Sequence, residues 1–193
     1  MEKLRLALAL TGSFCTFEKI MAAAEVLAQK YDILPIMSEN AFSTDTRFGE
    51  SSTFTERLER ICGKKILSTI PQVEPLGPKN MADVLLIAPC TGNTLAKLAG
   101  GITDTAATMA AKSHLRGGKP LLLAVSTNDG LSGSAQNIGT LLQRKNVYFV
   151  PFYQDDPVAK PTSLASDYSQ LESAIEAAAL HKQLQPILAA PKT

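Results

Sequence analysis

Residues 4–10 form an almost unbroken apolar run that stops at Thr11-Gly12-Ser13, the pattern of a strand buried on both faces of a parallel sheet. Phe17, Ile20, Met21, Ala24, Leu27 and Ala28 then recur at helical spacing and predict a helix over 16–29. Residues 33–37 (ILPIM) read as a second strand, which completes a βαβ unit. Pro35 lies inside it, and because proline cannot donate to a ladder the strand is expected to be short or bulged. The polar stretch 38–52 has no period and reads as a functional loop. Residues 54–62 pattern as a helix, and 64–77 are only weakly patterned. Order returns with a buried strand at 84–88, halted by Pro89, then alanine-rich helices at 95–99 and 105–115 separated by Gly100-Gly101. A strand at 121–125, a helix at 135–143, a strand at 147–150 and a proline- and charge-rich loop at 151–161 follow. An amphipathic helix over 171–184 and an apolar tail at Ile187-Leu188 close the chain. This alternation predicts an α/β fold, a three-layer, Rossmann-like, doubly wound and mostly parallel sheet with helices on both faces. Residues 1–193 read as one domain, with about 185–193 as a C-terminal tail.

Composition narrows the function classes. Hydrophobic residues make up 45% of the 193, enough for a core without staples, and the net charge of +1 steers the chain toward neither nucleic acid nor an anionic membrane. Cys15, Cys62 and Cys90 are odd in number and form no CxxC pair, which argues against a disulfide framework and against a zinc site. The opening apolar run is too short to span a membrane, so a soluble, cytoplasmic protein is expected.

In a doubly wound sheet, ligands sit outside the carboxyl ends of the strands, so the loops there hold the candidate chemistry. Thr11-Gly12-Ser13-Phe14-Cys15-Thr16 offers a tight turn, several hydroxyls and the start of a helix, which together suit an anion such as a phosphate. A plain turn with Thr16 as helix cap reads equally well. No GxGxxG stands here, and Ser38 replaces the acid that a dinucleotide site places after its second strand, so a mononucleotide fits better. Alone, Ser38 reads more readily as a capping residue. Between 88 and 104 a buried strand ends in Pro89, a small-residue loop follows, and Asn93-Thr94 opens a helix. Cys15 and Cys90 read as packing residues rather than reactive thiols, and Asp155-Asp156 as a solvated or interface loop rather than a metal site.

These residues resemble a known family. Pro89, Asn93-Thr94, Lys97, Ala99, Gly101-Ile102 and Asp104 look like the FMN-binding loop of the homo-oligomeric flavin-containing cysteine decarboxylases, a superfamily of FMN-binding flavoproteins. Within it the chain is most similar to the B-subunit family of dipicolinate synthase. That likeness lies in Thr11-Gly12-Ser13 with Cys15-Thr16, residues 45–50 (DTRFGE), 74–79 (EPLGPK), 126–129 (STND), 154–157 (QDDP) and 185–188 (QPIL). The resemblance implies FMN as cofactor, with Gly12, Ser13 and Ser38 at the phosphate and ribityl chain and Pro89, Thr91, Asn93 and Thr94 beside the ring. It implies a homo-oligomer, trimer or dodecamer, for which the bare helix 105–112 and the apolar segment Ile187-Leu188-Ala189-Ala190 look suited. The implied reaction is oxidation of dihydrodipicolinate to dipicolinate with the A subunit of dipicolinate synthase, a nicotinamide-binding partner bringing NADPH or NADP, in the mother cell of a sporulating bacterium. Arg47 is the candidate grip on a substrate carboxylate, ahead of Lys79 and Lys112, although a surface pair with Glu50 is an equal alternative. Asn128 and Ser126 are the candidate hydrogen-bonding groups from the neighbouring loop.

Two departures bear on the chemistry. The decarboxylases carry an active histidine after the second strand, whereas the histidines here are His114 and His181, expected to be surface or helix-end residues. Residues 126–131 (STNDGL) stand where the decarboxylases carry a Met- and Trp-containing substrate clamp. An FMN-dependent oxidoreductase subunit is therefore favoured. The alternatives are a non-catalytic flavin- or nucleotide-binding scaffold and, behind it, a flavin-dependent decarboxylase.

Overall fold

The first apolar run becomes β1 (Arg5–Leu10), which passes through a 3-10 turn at Phe14–Thr16 into α1 (Phe17–Lys30) and returns as β2 (Asp32–Met37). The computed structural model describes residues 3–189. After β2 come α2 (Glu39–Ser43), α3 (Ser51–Cys62) and α4 (Ile70–Val73), then β3 (Val84–Cys90), α5 (Gly92–Gly100), α6 (Ala106–Arg116) and β4 (Leu121–Thr127). The chain continues through α7 (Ala135–Leu142), β5 (Val147–Phe149), β6 (Phe152–Tyr153) and β7 (Leu164–Ser166) to α8 (Leu171–Ala179).

The strands assemble in the order β2-β1-β3-β4-β7-β6, with β5 pairing β4 off this path. From β2 to β4, and onward to β5, every pairing is parallel. The outer edge of β4 forks. Leu121 to Leu123 pair with β5 in parallel, and Ser126 and Thr127 pair antiparallel with β7. The expected mostly parallel α/β architecture is therefore present, with a small antiparallel appendage that the sequence pattern did not reveal.

Strand alternation sorts the core into two layers. Leu6, Leu8 and Leu10 pack with Phe17, Ile20, Met21 and Leu27 of α1, with Phe54 and Leu58 of α3, and with Ile175 of α8. Ala7 and Ala9 face the other side, with Leu95, Ile138 and the alanines Ala106, Ala107, Ala110 and Ala111 of α6. Small residues on both the sheet and α6 let the helix lie close to the strands. The bareness of this helix is thus used inside the chain, not held open for a neighbour as expected from the sequence.

Three further expectations are corrected. β2 is neither short nor bulged: it holds continuous register with β1, Leu8 opposite Pro35. Asp32 and Ser38 donate their N–H groups to the carbonyls of Leu4, just before β1, and Leu10, so the alternate position, Pro35, lacks its donor only on the side away from β1. β3 continues past Pro89 to Cys90 through a register shift between Ile87 and Cys90. The helix expected over 171–184 ends at Ala179, and His181 takes a left-handed φ of 56°. The segment Ile187-Leu188-Ala189 lies along β6, where Phe152 donates to the Ile187 carbonyl at 3.0 Å and Ala189 donates to Phe152 at 2.9 Å. Ala190 lies outside the described residues. Among the described residues, no helix is long and apolar enough to cross a membrane.

Candidate functional site

The chain places β2 on one side of β1 and then crosses to β3 on the other, so strand order reverses at β1. Outside the carboxyl ends of these strands opens a cleft of about 480 Å³, within the range of small-molecule sites and at the position where such sheets bind ligands.

Thr11 organises the floor. It is buried, and its Oγ1 donates to the Pro89 carbonyl at 2.7 Å and accepts from the Thr91 N–H at 3.2 Å. One hydroxyl thereby joins the end of β1 to the loop after β3. Thr91 caps α5: its Oγ1 accepts the Thr94 N–H at 3.2 Å and lies 2.9 Å from the Thr94 hydroxyl. Thr105 caps α6 in a reciprocal box with Thr108, so two helices start at the cleft wall. Ser38 caps α2, accepting the Ala41 N–H at 3.3 Å.

Of the residues singled out from sequence, Gly12, Ser38, Thr91, Asn93 and Thr94 line this one cleft. Ser13 and Ser126 meet each other instead, Oγ to Oγ at 2.9 Å, joining the first turn to the end of β4. Pro89 is buried in β3 and contributes its carbonyl to Thr11. Arg47 and Asn128 stand apart from the cleft lining. Arg47 is exposed in the tight turn 46–49, its guanidinium 4.9 Å from the Phe48 ring centroid, and it pairs with no carboxylate among the described residues, Glu50 included. Asn128 is exposed after β4, and its carbonyl accepts the Thr162 hydroxyl at 2.7 Å.

Several lining residues were not singled out from sequence as site residues: Phe14, Glu39, Asn40, Lys97, Asp104 and Thr105. Lys97 and Asp104 belong to the matched loop, and that was the available signal; Glu39 and Asn40 sit in an aperiodic stretch that gave none. Lys97 donates to both oxygens of Asp104, at 2.8 and 3.0 Å, and this bond holds the carboxyl below its usual range. Glu39 reaches across to α6, where its Oε1 accepts the Ala106 N–H at 3.2 Å. Outside the cleft, Asp129 accepts the hydroxyls of Thr127 and Ser134, which lower its pKa and pin the turn against Gly92.

The thiols and histidines divide. Cys90 is fully buried, and burial pushes its pKa up, as suits a packing role. Cys15 is exposed, contrary to the packing expected of it, with its Sγ 3.8 Å from the Ser13 hydroxyl. His114 is in the last turn of α6 yet wholly enclosed, while His181 is exposed beside Asn146. Neither lines the cleft. A second groove of about 410 Å³ lies between α5 and α6, with Leu98, Ile102 and Leu115 as apolar walls and Lys112, Arg116 and Arg144 as cations.

A flavin suits the principal cleft on its donor set. Hydroxyls and amides from Ser38, Asn40, Asn93, Thr94 and Thr105 surround the space, and the start of α5 adds backbone N–H groups.

Known proteins resemble this chain in sequence and in fold. The family model Flavoprotein matches residues 1–179. The B subunit of dipicolinate synthase from Bacillus subtilis (strain 168) is 42% identical over 185 residues, covering 95% of this chain and 92% of that one. The crystal structure of the B subunit of dipicolinate synthase from Bacillus halodurans superposes with a TM-score of 0.90 at 38% identity, over 100% of both chains. That of the FMN-dependent cysteine decarboxylase SpaF superposes with a TM-score of 0.67 at 22% identity, over 91% of this chain and 97% of that one, a likeness of fold.

Proposed function

The chain belongs to the Flavoprotein family, as a homologue of the dipicolinate synthase B subunit, and from that membership we propose that its cleft binds FMN and that the chain serves dihydrodipicolinate oxidation. The observation that carries the reading is the cleft at the strand-order reversal, lined by hydroxyls and amides and built without a dinucleotide fingerprint. Gly12, Ser13 and Ser38 would hold the phosphate and ribityl chain, with Ser126 beside Ser13; Pro89, Thr91, Asn93 and Thr94 would frame the ring. A bound flavin would supply a two-electron acceptor.

The substrate loses two electrons and two protons and becomes an aromatic pyridine, which itself favours the reaction. The chain's residues therefore need to orient more than to activate. Arg47, unpaired with any carboxylate among the described residues, would grip a substrate carboxylate, and Asn128 would offer a hydrogen bond from the loop after β4. The A subunit of the synthase would be the nicotinamide-binding partner, bringing NADPH or NADP, and a sporulating mother cell the setting.

The test has two stages. FMN titrated into the purified chain should quench its fluorescence, and Ser13→Asp should abolish the effect by placing a carboxylate against the phosphate. Chain, FMN, nicotinamide-binding partner and freshly generated dihydrodipicolinate should then form dipicolinate, followed by ultraviolet absorbance. Arg47→Ala should slow that formation at least about tenfold, the cost of a lost charged hydrogen bond. No response to saturating FMN, in fluorescence or melting temperature, would refute flavin binding. One observation favours a second reading, a non-catalytic scaffold: Arg47 and Asn128 both stand off the cleft lining. That reading holds if the partner alone turns over just as fast.

A further inference from the structure

Three charged residues line the principal cleft: Glu39, Lys97 and Asp104. Lys97 and Asp104 form an ion pair and cancel. Glu39 is left over. Its carboxylate takes the Ala106 N–H at 3.2 Å and no cation among the described residues, so the charged lining of the cleft sums to −1. This is the wrong sign for a phosphate monoester, which carries nearly two negative charges at neutral pH. Furthermore, the one backbone donor that Glu39 occupies is at the start of α6, an 11-residue helix whose N-terminal end favours an anion.

We propose that Glu39 opposes the flavin phosphate: its charge faces the same cleft as Gly12 and Ser38, it occupies the Ala106 N–H at the start of α6 that would otherwise favour an anion, and it keeps cofactor binding weak and exchangeable. The inference rests on the flavin reading above and specifies which residue sets the affinity at that site. An incoming dianion meets Glu39 within the same cleft as Gly12 and Ser38, and like charges sharing a partly enclosed space repel more strongly than in open water. Riboflavin, which has the same ring and no phosphate, would not meet this repulsion.

Glu39→Gln keeps the size of the side chain and an oxygen for the Ala106 N–H while removing the charge. FMN and riboflavin are titrated separately into wild type and Glu39→Gln, with fluorescence quenching as the readout, at low salt and again at 1 M salt. The expected result is FMN binding tightened about tenfold or more by the substitution, with riboflavin changed by less than about twofold. Screening at high salt should narrow the FMN difference between the two proteins. Equal or weaker FMN binding by Glu39→Gln overturns the proposal and makes Glu39 part of the frame that supports the ligand. An equal gain for riboflavin also overturns it, since the effect would not pass through the phosphate. If neither protein binds either flavin, the flavin reading itself falls and takes this proposal with it, an outcome distinct from the other two.

Discussion

His114 is completely enclosed in the last turn of α6, where its Nε2–H donates to the Pro120 carbonyl at 3.1 Å and its Nδ1 is buried with no partner. Burial, the largest influence, pushes its pKa down from 6.5 to about 4; the Pro120 bond and Asp83 oppose that shift, and Lys119 adds to it. The unfolded chain therefore takes up this proton near pH 6.5, and the folded chain resists until about pH 4. The stability that follows is whole above pH 6.5 and is lost as pH falls through that window, about 3 kcal/mol in all. Urea midpoints measured from pH 7 to pH 4 should fall for wild type and stay much flatter for His114→Gln, which keeps a donor for Pro120. A level wild-type midpoint across the window would refute this account. Asp83 does not confuse the result. Burial works to raise its pKa, but hydrogen bonds from Arg5 and Lys119 hold it down at about 2, so its own contribution is lost only at lower pH. The sequence marked His114 as no catalyst but gave no sign of its enclosure, because a lone histidine at a helix end has the same pattern exposed or buried. Thr11 shows the same limit at the cleft: its hydroxyl was visible in the turn, while its two partners lie 78 and 80 residues away along the chain.

Packing between elements is tight where the turn after α4 meets α6. Gly77 donates its N–H to the Ser113 hydroxyl at 2.9 Å, and a Cβ built on Gly77 would stand 2.0 Å from the Ser113 carbonyl oxygen. The obstacle is backbone on a helix that is itself pressed against the sheet by its alanines, so there is little room to yield. Gly77→Ala should cost about 2–4 kcal/mol and lower the melting temperature by roughly 5–10 °C. A variant that melts with wild type would show that α6 can slide. Gly101, at φ 72°, ends α5 where residues with a Cβ are strained. Elements of this core were legible in the sequence for a physical reason. β1, β3 and β4 are buried on both faces, which demands unbroken apolar runs, and α1 and α6 carry a strict helical period against them. What escaped was short or half-exposed: α2 with five residues, β6 with two and β7 with three are too brief to display a period. The cleft was legible as strand-end loops, through Gly12, Ser38 and Thr91-Asn93-Thr94. The wall formed by Glu39 and Asn40 was not, since it depends on how α2 is set against α6.

At the scale of the whole molecule, the groove between α5 and α6 leaves Ile102 half exposed beside Leu98 and Leu115. Surface of this kind favours association, and we propose that it contributes to a homo-oligomer. Light scattering should report a mass well above 20.6 kDa, and Ile102→Asp should lower it; a wild-type monomer at micromolar concentration would refute the proposal. The β6 margin of the sheet is treated differently. β6 pairs β7 on one side, and on the other Phe152 exchanges hydrogen bonds with Ile187 and Ala189. An outermost strand with free N–H and C=O groups is a template on which another chain can add. Residues 187–189 occupy that template from within. The C-terminal segment therefore plugs the β6 edge, which closes this one margin of the sheet to strand addition by another chain.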